Sequence, residues 1–563
     1  MSEQPKHPGT DASVATPTAF PTRRAVLGAG AVLLLAACTG GQTGSGGTGG
    51  SLGTTGATGS PGTTGATPGT PGAAASSGTA TAPASQTLAA SEASAVGRAP
   101  LSSLGSKLKG TLFLPGKAGY EAARLSENPR FDAARPLGVA RVASAADVAA
   151  SLRFARDNGV PLALRSGGHS YAGYSSGGGA GTGLPAALVV DVRALNSVKV
   201  SGGSVTVGAG AALAPVYAAL AAKGRGIAGG SCATVGVAGL TLGGGVGVLT
   251  RAHGLTCDAL TSAQIVTADG RVRTVDAARD PELFWALRGG GGGHLGVVTS
   301  LTLSTFAAPS IKSFFYQWPV SAAASVIAAW QEWAPTADAR LWSTLKVLGG
   351  AAHPSGAVVM LSGTWVGAGA PPVAAFLAKV PRPGVSSART RTYGQAMAGY
   401  AGCAAMPVGQ CHTGAGGALQ REAFAATSHV AYRGLKASEV AVLVEHVRSA
   451  SSRLKEVGIS IDALGGAVGR VAPGATAFVH RKAIATVQYT ATYTGNRAAE
   501  AAAFVGGFRA AMTPAWGEHA YVNYADPTLK RSSVAYFGAN APRLAAVRRR
   551  YDPDGLFTQP QAY

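Results

Sequence analysis

Three glycine-dense loops punctuate the middle of this chain, and each sits where a regular element runs out. The first, Arg165-Ser166-Gly167-Gly168-His169-Ser170-Tyr171-Ala172-Gly173-Tyr174, comes straight off a buried strand pattern at 161–165. The second runs from Gly229-Gly230-Ser231-Cys232-Ala233-Thr234-Val235-Gly236-Val237-Ala238-Gly239 into Leu240-Thr241-Leu242-Gly243-Gly244-Gly245. The third is Arg288, five glycines, His294, Leu295 and Gly296. Glycine admits positive φ and close backbone approach, so successive N–H groups in such loops can converge on a phosphate. A glycine run alone is also what a structural turn needs. None of the three has the G-x-G-x-x-G and downstream acid of a dinucleotide-binding Rossmann unit, and the chain has no G-x-x-x-x-G-K-[ST] loop.

The segments between these loops read as mixed α and β. A short strand at 139–142 precedes Ser144, an N-cap with Asp147 three residues on, and the helix runs to Asn158 before Gly159 stops it. Residues 188–192 and 204–208 are strands, the second with period-2 alternation. Residues 263–267 and 271–275 flank Asp269-Gly270 as a hairpin. Asp280-Pro281-Glu282 opens a helix through Leu287, with proline at its first position. Beyond about 306, longer strands such as 486–493 and further helices predict a second layer, an antiparallel sheet backed by helices.

The first 97 residues are of another kind. Thr22-Arg23-Arg24 precedes an uncharged apolar run at 25–37 ending in Leu35-Ala36-Ala37-Cys38. The run is too short for a membrane-spanning helix, which needs about 20 residues. It fits an export signal of twin-arginine type, residues 1–38, with Cys38 as a lipidation site and that lipid as the only expected membrane contact. Residues 39–97 are dominated by Gly, Thr, Ser, Ala and Pro with Glu92 as the only charge, and Gly-Thr-Thr-Gly-Ala-Thr occurs at 53–58 and 62–67. Such a tract cannot offset its ordering entropy and is expected to be a flexible tether. The rest can bury a core, since the whole chain is 46% hydrophobic and 13% charged. Its net charge of +21 raises nucleic acid or an anionic envelope surface as partners. No basic helix with interleaved aromatics and no Cys/His zinc spacing accompanies that charge, so neither nucleic acid nor a metal is expected. Cys403 and Cys411 are a candidate disulfide in an oxidising compartment, or two free thiols, and Cys257 is expected to be buried and inert.

Several motifs in the same order resemble one family. Arg165 to Tyr174 resembles the R-S-G-G-H-x-Y-x-G loop of FAD-linked oxidases of the vanillyl-alcohol-oxidase type. Cys232 to Gly245 resembles the C-x-T-V-G-V-x-G-x-x-x-G-G-G segment of their berberine-bridge-enzyme-like branch. Near the C-terminus Ala520-Tyr521-Val522-Asn523-Tyr524, Tyr536-Phe537-Gly538-x-Asn540 and Arg550-Tyr551-Asp552-Pro553-Asp554-Gly555-Leu556-Phe557 agree. The resemblance implies an α+β fold: a two-part FAD-binding domain at 98–305, a substrate domain at 306–518, and a segment at 519–563 that returns to the FAD domain. It also implies that His169 is joined to the flavin 8α-methyl and Cys232 to ring carbon 6. The remaining cofactor contacts it implies are Arg165, Ser166, Gly167, Gly168, Ser170, Gly173, Tyr174, Thr234, Val235, Gly236, Gly239, Leu242, Gly243, Gly244, Val298, Asn523 and Tyr524. Ala233, Ala238 and His294 depart from the family's usual Pro, Gly and Asn, which leaves the role of His294 open. Val235, small for this position, points to oxygen reaching the flavin and to peroxide as a product.

On the substrate side, a base must take the alcohol proton as the C–H bond is oxidised. By resemblance Tyr521 is that base, with Asp462 orienting it and Gln488 and Tyr489 beside it. Some relatives carry a glutamate base at the Gln488 position, which Gln cannot replace. The expected activity is oxidation of an alcohol carbon, above all a sugar or oligosaccharide hemiacetal, by a monomer using O2. An alkaloid, polyketide or aromatic alcohol is the alternative substrate, and a flavin-free envelope-binding lipoprotein the alternative class.

Overall fold

The computed structural model describes residues 99–179 and 182–563. The expected export signal, its Cys38 and the tether lie outside the described residues.

Local signals explain the first elements. Ser144 accepts a hydrogen bond from Asp147 N at 3.1 Å and caps the helix Ala145–Asn158. A cap of this kind is worth about 1 kcal/mol. Gly159, at φ 61°, ends the helix. Strand β1 (Thr111–Phe113) pairs antiparallel with β2 (Gly138–Arg141), and β2, β4 (Leu188–Asp191) and β3 (Leu162–Arg165) continue in parallel, giving the order β1-β2-β4-β3. The first glycine loop leaves the end of β3.

A second sheet has the order β5-β6-β10-β8-β9 and is antiparallel throughout. Its strands are β5 (Val198–Ser201), β6 (Ser204–Gly208), β8 (Leu260–Val266), β9 (Val272–Asp276) and β10 (Val297–Ser304). The expected hairpin is β8–β9, and the third glycine loop leads directly into β10. The short strands β7 (Arg225–Gly226) and β11 (Phe306–Ala307) pair with each other. One apolar core lies under both larger sheets.

The third sheet is larger, antiparallel, and ordered β15-β12-β14-β13-β17-β18-β16. Its strands are β12 (Ser310–Pro319), β13 (Leu341–Gly349), β14 (Val358–Trp365), β15 (Val385–Thr392), β16 (Ala423–Ala431), β17 (Glu456–Ala463) and β18 (Ala485–Tyr493). Helices Ala323–Thr336, Ala437–Arg448 and Ala498–Trp516 cover one face and share a core with it. Strand alternation turns the other face toward the glycine loops.

Buried arginines join the layers. Arg251 follows the second glycine loop, and its Nε donates to Leu341 O at 2.8 Å and its Nη2 to Ala337 O at 2.6 Å, at the head of β13. Arg481 forms a bidentate pair with Asp258 at 2.8 and 2.7 Å. The last residues return to the glycine loops, where Tyr563 Oη donates to Gly290 O at 2.7 Å.

Candidate active site

The first two glycine loops meet backbone to backbone. A Cβ on Gly167 would lie 2.2 Å from Gly236 N, and one on Gly236 would lie 2.2 Å from Gly167 N and 2.1 Å from Ser166 Oγ. Only glycine fits either position, which is why both loops need it. Ser166 Oγ donates to Ala209 O at 2.6 Å and ties the pair to the second sheet.

These loops, the third loop and the open face of the large sheet enclose one cavity. Its loop wall carries Ser166, Gly167, Gly168, His169, Ser170, Tyr174, Cys232, Val235, Gly236, Gly239, Leu242 and His294, with Val298 from β10. Its sheet wall carries Trp342, Thr344 and Lys346 of β13, Ser362 of β14, Ser460 and Asp462 of β17, and Gln488 of β18. Register explains that wall: Thr344 faces Asp462, while Lys346, Ser460 and Gln488 form the adjacent rung. Tyr400, Asn523 and Tyr524 complete the lining.

The cavity suits a large polar cofactor. Ser175 Oγ, Trp342 Nε1 and His294 Nδ1 belong to lining residues and are buried without a hydrogen-bond partner among the described residues, and such atoms in a native fold call for a ligand or water. A Cβ on Gly239 would meet nothing within 4 Å, so the loop leaves space beside its backbone. His294, where the family usually has Asn, is held neutral: burial, aided by the Arg548 charge, pushes its pKa down to about 4. The residues present fit a flavin nucleotide, with the glycine loops to cradle it and His169 and Cys232 within the wall.

Several expected contacts are held by the protein itself, some of them outside the lining. The Arg165 guanidinium faces the protein, not a ligand: Nε donates to Ser175 O at 2.9 Å, Nη1 to Ala123 O at 2.7 Å and Nη2 to Arg124 O at 3.0 Å, with Asp191 at 4.0 Å. It lines the cavity while holding the loop's far end. Gly173 is not in the lining; at φ 74° it packs on Phe131. Gly243 lies under Asn523, and Gly244 against Phe478 and Tyr521. Thr234 stands behind His169, its Oγ1 2.8 Å from Nε2. Asn523 reaches the cavity but is also a staple, its Nδ2 donating to Leu240 O at 2.9 Å.

The substrate-side tyrosines change places. Tyr521 is fully buried outside the lining, and its hydroxyl accepts from Gly245 N and from Asn523 Nδ2, both at 2.9 Å. It anchors the second glycine loop and is not positioned as a base. Tyr524, one turn on through the short helix Val522–Tyr524, lines the cavity. Its hydroxyl makes no hydrogen bond among the described residues, and its ring stacks on Tyr171 with centroids 5.3 Å apart and planes 6° from parallel. Tyr489 is on the wrong face of β18: it hydrogen-bonds His429 Nδ1 at 2.8 Å and packs on Phe508 under the helices. Gln488, its neighbour in sequence, faces the cavity and donates to Tyr171 Oη. Burial raises the pKa of Asp462, with Thr344 and Lys346 opposing. Burial raises that of Tyr524 well above 10, to which Tyr171, Asp462 and Tyr521 add.

Tyr171, Lys346 and Glu127 were not marked as site residues by the sequence. Tyr171 was readable within the first loop motif and Lys346 from alternation along 342, 344 and 346. Cys403 and Cys411 are joined as a disulfide. Cys257 is buried, and burial pushes its thiol pKa up, which leaves it unreactive.

Comparison with known proteins agrees with this geometry. A family model described as FAD binding domain matches residues 136–276, and one described as berberine and berberine like matches 520–562. An uncharacterized FAD-linked oxidoreductase of Bacillus subtilis, YgaK, is 30% identical over 73% of this chain and 87% of its own length. The xylooligosaccharide oxidase of Thermothelomyces thermophilus is 31% identical over 76% of this chain and 87% of its own. The solved structure of Physcomitrella patens BBE-like 1 superposes with a TM-score of 0.75 at 27% identity, covering 82% of this chain and 99% of that one. The chain belongs to the berberine-bridge-enzyme-like FAD-linked oxidoreductases.

Proposed function

We propose that this enzyme oxidises the hemiacetal carbon of a sugar or oligosaccharide to the lactone, with FAD held covalently by His169 and Cys232 and with O2 as the acceptor. The observation that carries the reading is the cavity wall opposite the glycine loops, where the Asp462 carboxyl group and the Gln488 amide from the large sheet and the Tyr524 phenol from the helix Val522–Tyr524 line one space. A bound flavin supplies the two-electron acceptor beside the substrate carbon. The protein's part is to hold that carbon and remove its hydroxyl proton. Tyr524 takes that proton as it gives its own phenolic hydrogen to Asp462, which lies near enough to act on Tyr524 electrostatically, so no free phenolate has to form. Gln488 fixes Tyr171, and Tyr171 fixes the plane of Tyr524 by stacking. Similarity to a xylooligosaccharide oxidase and a chitooligosaccharide oxidase favours a sugar, and the small Val235 in the lining favours access by oxygen.

We also place the enzyme outside the cytoplasm, exported through the Arg23-Arg24 signal and anchored by lipid on Cys38. A disulfide between Cys403 and Cys411 suits an oxidising compartment, and a covalently loaded flavoprotein has to cross the membrane folded.

A peroxide assay over neutral oligosaccharides, simple sugars and aromatic alcohols tests the substrate class. Turnover is expected with the sugars, and turnover confined to aromatic alcohols would refute it. The pH profile tests the carboxylate. Only ionised Asp462 can accept a proton, so activity is present above its pKa and lost as pH falls through it. Because that pKa is raised, the loss should begin at a higher pH than for an ordinary carboxylate, and Asp462→Asn should remove the acid limb together with most of the rate.

A further inference from the structure

Behind His169 stands a carboxylate that belongs to no motif in the sequence. Thr234 Oγ1, 2.8 Å from His169 Nε2, donates to Glu127 Oε1 at 3.0 Å. Thr413 Oγ1, two residues past the disulfide, donates to Glu127 Oε2 at 2.9 Å. The backbone of Glu127 is fixed with equal care. Its N–H donates to Gly168 O at 3.1 Å, beside His169 itself. Arg421 Nη2 donates to Ser126 O at 2.7 Å, Nε to Glu127 O at 3.3 Å and Nη1 to Asp132 Oδ2 at 3.0 Å. The next residue, Asn128, donates through Nδ2 to Phe424 O at 2.9 Å.

Counting protons fixes the tautomer of the imidazole. An ionised carboxylate can only accept, and a threonine hydroxyl has one hydrogen to give. Thr234 gives that hydrogen to Glu127, so toward His169 it can only accept. Nε2 therefore carries the imidazole hydrogen, and Nδ1 carries the free lone pair. Burial favours the neutral ring, the form in which that lone pair is nucleophilic, with Glu127 acting in the opposite sense.

We propose that Glu127, working through Thr234, is a positioning residue for flavin attachment, presenting His169 Nδ1 to the 8α carbon and receiving the proton that leaves Nε2. The inference rests on the covalent reading above. In the step, a bond forms between Nδ1 and the 8α carbon and a C–H bond at that carbon breaks. The imidazole, positive once alkylated, sheds its Nε2 proton to Thr234, which passes its own to Glu127. The electron pair from the C–H bond passes through the ring system to dioxygen, which leaves as hydrogen peroxide with the two protons released. Nothing else is consumed.

The test uses the full chain carrying Cys232→Ala, so that His169 is the only attachment point, and reads the flavin retained in the acid-precipitated protein and on the His169 peptide. Glu127→Gln and Thr234→Val are expected to lower the His169-linked fraction at least tenfold after equal exposure to FAD and air. Thr234→Ser, which restores the hydroxyl, should return it to near the parent value, and a role in packing alone would not produce that pattern. Thermal unfolding of each variant shows whether it is folded, and Thr234→Val, nearly isosteric, keeps the test open if Glu127→Gln is unstable. Attachment in both variants as complete as in the parent overturns the inference while leaving covalent flavin intact. A parent with no acid-stable flavin on His169 overturns the covalent reading and this inference with it.

Discussion

Replacing Tyr524 by Phe is expected to slow anaerobic flavin reduction by sugar by about two to four orders of magnitude, the range for losing a positioned proton acceptor. Flavin content and stability should change little, because the Tyr524 hydroxyl has no hydrogen bond among the described residues to lose and its ring can still stack on Tyr171. Tyr521→Phe should behave in the opposite way. It leaves Gly245 N–H buried without the Tyr521 acceptor, at a cost of about 1–3 kcal/mol, while the folded fraction reduces its flavin at close to the parent rate. Stopped-flow reduction of the two variants separates the roles. A slow Tyr521→Phe enzyme beside a fast Tyr524→Phe enzyme would restore the assignment read from sequence.

The glycine loops give the second large effect. Gly236→Ala drives a methyl group into Gly167 N and Ser166 Oγ, each about 2 Å away, and the two loops cannot both keep their positions. A loss of about 3 kcal/mol or more is expected in denaturant unfolding, at the upper end for overpacking because backbone is struck together with a side chain already tied to Ala209 O. Gly239→Ala is the contrast. Its methyl group meets no protein atom within 4 Å, so stability should stay within about 0.5 kcal/mol. The same methyl occupies cavity space, so flavin uptake should fall. Equal unfolding midpoints for Gly236→Ala and the parent would show that the contact between the loops is not needed.

These contrasts also show what the sequence made legible. The helix at 145–158 was readable because its signals are local: Ser144 at one end and Gly159 at the other. The cavity's loop wall was readable because glycines, histidine and cysteine stand at fixed offsets. The sheet wall was only half readable. Gln488 and Tyr489 are consecutive on a strand and must point to opposite faces, so naming both could not be right. Which Tyr of the pair 521 and 524 reaches the cavity depends on the helical turn Val522–Tyr524, and the spacing alone does not give its orientation. Arg165 was read as a ligand contact because its motif adjoins one, but its partners are carbonyls from two other segments. Glu127 was invisible, since it meets Thr234 from 107 residues away and Thr413 from 286.

Peptide mapping of the unmodified enzyme tests most directly whether a flavin is joined to the polypeptide in this cavity. Proteolysis after acid denaturation is predicted to yield one yellow species in which a single FAD links the peptide containing His169 to the peptide containing Cys232. A colourless digest with both peptides at their unmodified masses would contradict it.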